Sequence, residues 1–389
     1  MNRFIHSCPA LMDWLLFLVN FAVFYRAGEQ HFTLNQCAWL AAIHSFAYML
    51  ASLAAGFIIS RRNSRGVLLF STVFMAMAAI LCLYPCRFVP MLAGMGILGI
   101  FAAFFFNSYQ AFMRGESLPG NLMKTIGLYT LSWSTGCSIG LISSGFLYRF
   151  GLWMLVSISL AICLSIIITI LRHQRRPLED ISSEEHIEEG PRGSRPATAR
   201  YVWVGWIVIF TAMFVQRPVI SFFPAISANS GLNPFLASLP LFLIYAVQAG
   251  AGFAMVKFRN FLYRRLPLAI MHAFAAFLFF ALWFFPTLPV CFAVFAMLGI
   301  YFGFAYFCSV YYSSNSGNRV LNVGINECLV GTAPLAGLFI SEWWMRRTAE
   351  ASGMYAVCGA TLILSALAQI VTASRDKKRP EAGGPGSGL

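Results

Sequence analysis

Apolar runs of about twenty residues, each closed by a short polar stretch, recur along the chain from residue 9 to residue 374. Twelve are distinguished, at approximately 9–28, 37–60, 66–85, 88–113, 122–148, 151–171, 201–223, 233–256, 264–284, 288–312, 321–344 and 353–374. At about 1.5 Å of rise per helical residue, such a run crosses a hydrocarbon core of about 30 Å. Ten-residue segments of alternating polarity, the mark of a membrane β-barrel, are absent. An isolated segment in lipid has to satisfy its own backbone hydrogen bonds, so each run is predicted to be a helix. The pattern predicts an all-α membrane protein with twelve transmembrane helices.

Composition supports this. Of 389 residues, 59% are hydrophobic and 11% charged, less than half the charged share of about 25% in soluble domains. That sets aside a soluble enzyme. The net charge of +13 does not point to nucleic acid, because the basic residues fall in short loops rather than on one face. With the N-terminus inside, 21 of the 27 Lys and Arg lie on the cytoplasmic side, the asymmetry that orients membrane helices. Both termini are thereby expected in the cytoplasm, and the chain is expected to span the inner (cytoplasmic) membrane many times, in contact with its lipids. No Asn-x-Ser/Thr sequon occurs. The first run carries Asp13 and has no small-residue cleavage site behind it, so it is expected to remain as a span. Eight of nine tryptophans lie near run ends, as an interfacial belt requires; the ninth, Trp133, lies near the middle of the fifth run. The ten cysteines show neither zinc-ligand nor disulfide-framework spacing and read as packing residues, Cys82 and Cys86 included.

Residues 172–200, RHQRRPLEDISSEEHIEEGPRGSRPATAR, are polar and rich in Pro, Gly and Ser. They read as a flexible cytoplasmic linker. The linker separates 1–171 from 201–374, with six runs in each, and 375–389 reads as a disordered cytoplasmic tail. The two halves repeat one another. LGIF at 98–101 is matched by LGIY at 298–301. At an offset of 197, Gly127, Thr135, Gly140 and Leu141 match Gly324, Thr332, Gly337 and Leu338. In the first and seventh runs, Tyr25-Arg26 is aligned with Gln216-Arg217. A parallel repeat of this kind places a solute site near the bilayer midplane, between the halves.

The loop after the second run reads GFIISRRNSR at 56–65. With the twelve runs, the central linker and the repeat, it makes the chain resemble the major facilitator superfamily from residue 9 to 374. That family carries Gly-x-Leu-Ala-Asp-Arg-x-Gly-Arg-Lys in this loop. Gly56, Arg61 and Arg65 match; Ser60 replaces the Asp and Asn63 the second Gly. The second-half counterpart, GFAMVKFRNF at 252–261, keeps Gly252 and Lys257. The resemblance implies two pseudo-symmetric six-helix bundles that move solutes by alternating access. It also implies that the second, fifth, eighth and eleventh helices meet between the halves, where small residues such as Gly136, Gly140 and Gly337 let backbones slide. The Asp-to-Ser change removes the family's charge-relay gate. The intramembrane Arg of proton-coupled drug exporters is also missing from the fourth run.

A charge at the centre of a membrane helix costs about 2.5–3.5 kcal/mol on insertion scales, so polar residues inside the runs are the functional candidates. Glu327, about two turns into the eleventh run, is the candidate for proton coupling or gating, with Asn326 beside it as polar lining. Asn107 and Gln110, three apart on one helix face, are placed to offer donors and acceptors to a neutral solute, against a role as interhelical glue. Tyr129 and Trp133, four apart, are placed to stack on a ring or a cation. His44 is a candidate proton carrier and His272 a weaker one. Arg26 and Arg217 are candidates for attracting an anion or closing an outer gate.

The function expected is secondary transport of a small organic solute, probed against two other classes: multidrug or metabolite efflux by proton antiport, and a non-transporting sensor or scaffold. No phosphate-binding loop occurs in the sequence. No cofactor, metal or nucleic acid is implied; the expected partners are a solute, protons and lipid, with a monomer as the working unit. Glu327→Gln is expected to abolish coupled transport while leaving the fold intact.

Overall fold

The computed structural model of the chain describes residues 7–60, 62–84, 87–116, 122–173, 195–258, 261–262, 264–314 and 319–376. The expected linker and tail fall almost wholly outside these residues. Twelve long helices account for most of the described chain: α1 (Cys8–Glu29), α2 (Leu34–Ile58), α3 (Ser64–Leu83), α4 (Phe88–Glu116), α5 (Leu122–Leu147), α6 (Leu152–Arg172), α7 (Arg195–Asn229), α8 (Pro234–Ala254), α9 (Arg265–Phe284), α10 (Leu288–Ser314), α11 (Arg319–Thr348) and α12 (Gly353–Asp376). Eleven are long and apolar enough to cross a membrane; α5 is as long but richer in Ser and Thr. Helix α7 begins six residues before the predicted run, inside the segment read as linker.

In the first half α3 and α6 pack only on helices of that half, and in the second α9 does the same beside α10 and α12. Their outward faces carry Met77, Leu164 and Phe277, all exposed; in a membrane protein these faces meet lipid. Helices α1 and α7 lie deepest, each buried over more than two thirds of its apolar stretch. The halves meet through α1 on α7, α2 on α11 and α5 on α8. The end at which α1 begins, read from the loop charges as cytoplasmic, is called the inner end below.

The repeat is visible in the turns. His31 and Gly231, 200 residues apart, both hold a left-handed backbone, with φ of 54° and 74°. The same hydrogen bonds close both turns: His31 and Gly231 donate to Gly28 and Ala228, and Phe32 and Leu232 to Ala27 and Ser227. Thr33 and Asn233 then cap α2 and α8 with their side-chain oxygens. Deeper in each half, Gly99 of α4 faces the carbonyl of His44, and Gly299 of α10 that of Ile244. The register for these three helix pairs, α1 with α7, α2 with α8 and α4 with α10, is thus 200. This corrects the alignment of Tyr25-Arg26 with Gln216-Arg217. Arg26 is level with Ile226, and Arg217 with Phe17.

Close backbone contact recurs where glycine allows it. A Cβ on Gly136 or Gly337 would collide with the carbonyl of Ala10 or Phe214, and one on Gly140 would stand 2.6 Å from the Trp14 oxygen. The GxxxG pair of α5 therefore seats α1 within its own half, not the opposite half as expected. Between the halves, Gly28 meets Ala225, Gly331 meets Met49, and Gly252 meets Thr130. Pro218 and Pro224 lie inside α7 and Pro334 inside α11. Each lacks the N–H that would bond four residues back. Pro218 thereby frees the carbonyl of Phe214, the one that Gly337 accommodates.

Gly56, in the last turn of α2, makes no close approach, since a Cβ there would meet nothing within 4 Å. The two substituted positions make their own turn: Ser60 N donates to Asn63 Oδ1 (2.8 Å), and Asn63 N to Ser60 Oγ (3.4 Å). Arg65 donates to the carbonyl of Leu171 (2.9 Å), near the C-terminus of α6. Arg61 lies outside the described residues. The nine cysteines described are free thiols, eight of them buried.

A thermal or denaturant melt in detergent separates these glycines. Gly337→Val is expected to destabilise by about 1–3 kcal/mol through overpacking, and Gly56→Val by less than about 0.5 kcal/mol.

Candidate functional site

A cavity of about 180 Å³ lies between the halves, lined from α1, α2, α4, α5, α7, α8, α10 and α11. Its walls are mainly aromatic and aliphatic, among them Phe17, Phe106, Tyr129, Trp133, Tyr245 and Tyr306. The lining obeys the repeat. Asp13 and Met213, Leu16 and Gln216, Phe17 and Arg217, Ser45 and Tyr245, and Phe106 and Tyr306 all line it, each pair 200 apart. The two halves thus offer the same positions with different chemistry.

Depth follows from helical rise. Phe17 and Arg217 each lie 12 residues before the helix ends at Glu29 and Asn229, about 18 Å from the outer end. His44, ten residues into α2, lies about 15 Å from it. These residues sit near the middle of a 30 Å core. Asp13 lies one turn further in, and so does Tyr48, the partner of Glu327.

Two carboxylates, a histidine and an arginine border this space. Arg217 Nη2 and His44 Nδ1 are 3.1 Å apart, joining α7 to α2 across the seam. A guanidinium has only donors, so the His44 Nδ1 must accept, which fixes a neutral ring with its proton on Nε2. That Nε2 and the Arg217 Nε are buried without hydrogen-bond partners. Glu327 accepts from the Tyr48 hydroxyl (3.0 Å) and more loosely from Gln110 Nε2 (3.4 Å), both in the opposite half. Asp13, 6% exposed, is buried beside α5 near the Cys137 thiol.

A buried amide chain runs beside the cavity. Tyr306 donates to Gln216 Oε1 (2.6 Å), Gln216 Nε2 to Gln248 Oε1 (3.1 Å), and Gln248 Nε2 to Ser134 Oγ (3.1 Å). It links α10, α7 and α8 to α5 and so crosses the seam. The Tyr306 ring also meets Trp133 edge-on, at 5.1 Å between centroids.

At the outer end the halves touch again. Tyr25 donates to the carbonyl of Leu232 (2.7 Å), and His31 Nδ1 lies 2.8 Å from Asn229 Oδ1. Toward the inner end lie Gly56 of α2 and Gly324 of α11. Gly56 and Gly324 have open space beside them, and Phe57 is 92% exposed.

Of the candidates from sequence, Tyr129, Trp133, Asn326, Glu327, His44 and Arg217 line the cavity. Gln110 reaches it through Glu327. Asn107 does not line it; its amide donates to Ser52 Oγ (3.2 Å) and to the Ala103 carbonyl of its own helix, bridging α4 to α2. Asn326 is held from behind by Ser309 Oγ, which donates to it at 2.5 Å. Arg26 lies away from the cavity, because the register of 200 sets it three residues from the end of α1. Its Nη1 donates to the carbonyl of Leu83 (2.5 Å), at the C-terminus of α3. His272 is bonded to its own helix at Leu268 and packs on Tyr301. Sequence reasoning passed over Asp13, Gln216 and Gln248. For Gln216 and Gln248 the signal was the one that singled out Glu327, a polar side chain inside an apolar run; Asp13, near the start of its run, carried a weaker one.

The family model described as Major Facilitator Superfamily matches residues 4–319. Among solved structures, a D-xylose–proton symporter aligns with a TM-score of 0.72 at 15% identity, over 95% of this chain and 97% of its own. A bacterial homologue of the human lysosomal transporter Spinster, inward-facing and unoccupied, aligns with a TM-score of 0.64 at 15% identity, over 98% and 100%. No match was found among curated proteins.

Gln248→Leu leaves Gln216 and Ser134 without their partner. It is expected to lower stability in a detergent melt by about 1–3 kcal/mol, and to couple non-additively with Gln216→Leu in a double-mutant cycle.

Proposed function

Because the chain belongs to the Major Facilitator Superfamily, we propose that it is a secondary active transporter that moves a small organic solute across the cytoplasmic membrane by alternating access, coupled to protons. The observation that carries this reading is the cavity at the seam. It is lined by both halves, lies near mid-bilayer and is bordered by two carboxylates, Asp13 and Glu327. A carboxylate at such depth persists where it pairs, binds a proton or lines a solute path. The D-xylose–proton symporter, whose fold this chain shares, is by its name a proton-coupled carrier.

The proposed coupling step uses Glu327. Ionised, it accepts from Tyr48 and Gln110 and holds α11 against α2 and α4. A hydrogen bond to an ionised acceptor is about twice as strong as a neutral one. Protonation from the inner side weakens that hold, and the halves separate at the inner end while the Tyr25, Gly28 and His31 contacts stay shut. Reopening outward breaks those outer contacts and re-forms the Glu327 link. Rocking about a fixed site of this kind is the motion expected of paired repeats.

The test is proton movement in proteoliposomes loaded with a pH-sensitive dye and challenged with sugars, carboxylates, amino acids and nucleosides. The wild type is expected to move protons with one solute class. Glu327→Gln should lose gradient-driven accumulation of that solute by about a hundredfold or more while keeping solute counterflow. A variant that still accumulates solute against a gradient would falsify the role of Glu327. Silence across the whole panel in the wild type would count against transport itself.

A further inference from the structure

Among the described residues the cation in the cavity has no carboxylate partner. Arg217 stands near mid-bilayer, where a charge is costly, yet among the described residues no carboxylate is in ion-pair contact with it. Its one hydrogen-bond contact, His44 Nδ1, is a neutral acceptor. Its Nε–H has no acceptor among the described residues. Asp13, on the opposing α1, lies one turn further in, and Glu327 is engaged by Tyr48 at that same inner level. The repeat shows that the fold does not require a cation here, because the equivalent position in the first half is Phe17.

We propose that the carried solute is an organic carboxylate with an apolar or aromatic body, and that Arg217 binds its carboxylate. This rests on the transport reading above and names the substrate class of the same cavity. The guanidinium offers several donors in a planar fork that matches a carboxylate. Tyr245, another wall residue, adds a phenol to the same lining. From the other half of the chain, Phe17, Phe106 and Trp133 supply apolar lining for the body of the solute. A small inorganic anion fits less well, because that wall leaves its remaining hydration unreplaced. A sugar leaves the guanidinium unneutralised. His44 ties the bound anion to the seam: it holds Arg217 from the first half, so the solute would be gripped by both halves at once.

The experiment measures binding to purified full-length protein in detergent, by thermal stabilisation and by Trp fluorescence. The probes are matched trios: phenylacetate, phenylacetamide and phenethylamine, then hexanoate, hexanamide and hexylamine. A ligand of the folded state raises apparent stability by mass action. Stabilisation by a carboxylate, with its amide and amine inactive, is the expected result. Arg217→Gln should weaken that binding by about a hundredfold. Arg217→Lys, which keeps the charge and loses the fork, should weaken it less and show that the fold survives. Three outcomes overturn the proposal: amides that bind as well as acids, amines alone binding, or no carboxylate binding in either trio. Undiminished carboxylate binding by Arg217→Gln does so as well. Carboxylate binding without uptake into proteoliposomes would sink the transport reading and leave the anion site standing. Uptake of a neutral solute with no carboxylate binding would do the reverse.

Discussion

A bilayer interior offers no water to a charged or amide side chain, and this constraint organises the molecule. Polar groups at mid-depth have to find one another, and the place where two bundles meet is where they do. Asp13, His44, Gln216, Arg217, Gln248 and Glu327 come from five different helices and gather within or beside one seam. The apolar residues are sorted the other way, onto the outward faces of α3, α6 and α9. The cavity is therefore a consequence of the solvent as much as of any solute.

Duplication gives the seam its shape, and divergence gives it polarity. The same five positions line the cavity from each half, and at each the residues differ in chemistry. Aspartate faces methionine, and arginine faces phenylalanine. A symmetric site would hold two identical charges at one level and repel itself. Here the cation occupies one level, and Asp13 lies a helical turn closer to the inner end. Glu327 has no counterpart of its own kind either: the residue at the matching position of α5, at the offset of 197, is Thr130.

The twelve helices were legible in the sequence because membrane spans announce themselves by length and hydropathy, and the helix limits differ from the runs mostly by a few residues. The start of α7 was missed because Arg195–Arg200 is polar enough to read as linker. The site was legible in part. Glu327, Trp133 and His44 stand out as polar or bulky groups inside apolar runs. Asp13 does not, because it falls near the start of its run, where a charge reads as interfacial; only packing against α5 shows it to be buried. Asn107 misled for a general reason: an amide on a helix face satisfies a neighbouring helix as readily as a solute, and spacing does not separate the two. The pairing of Arg26 with Arg217 failed because two dipeptides were matched without the turns that set the register.

Helix α7 carries two prolines six residues apart, and the first directly follows Arg217. Each leaves one rung out of the hydrogen-bond ladder. Sharp bends in helices occur where rungs are missing. The segment between the cation and the outer contact at Ala225 therefore has fewer rungs to resist bending. Movement at the outer closure need not carry the whole helix with it. A bend at the missing rung beside the guanidinium would turn a small displacement at one face of the membrane into a change of angle at the middle.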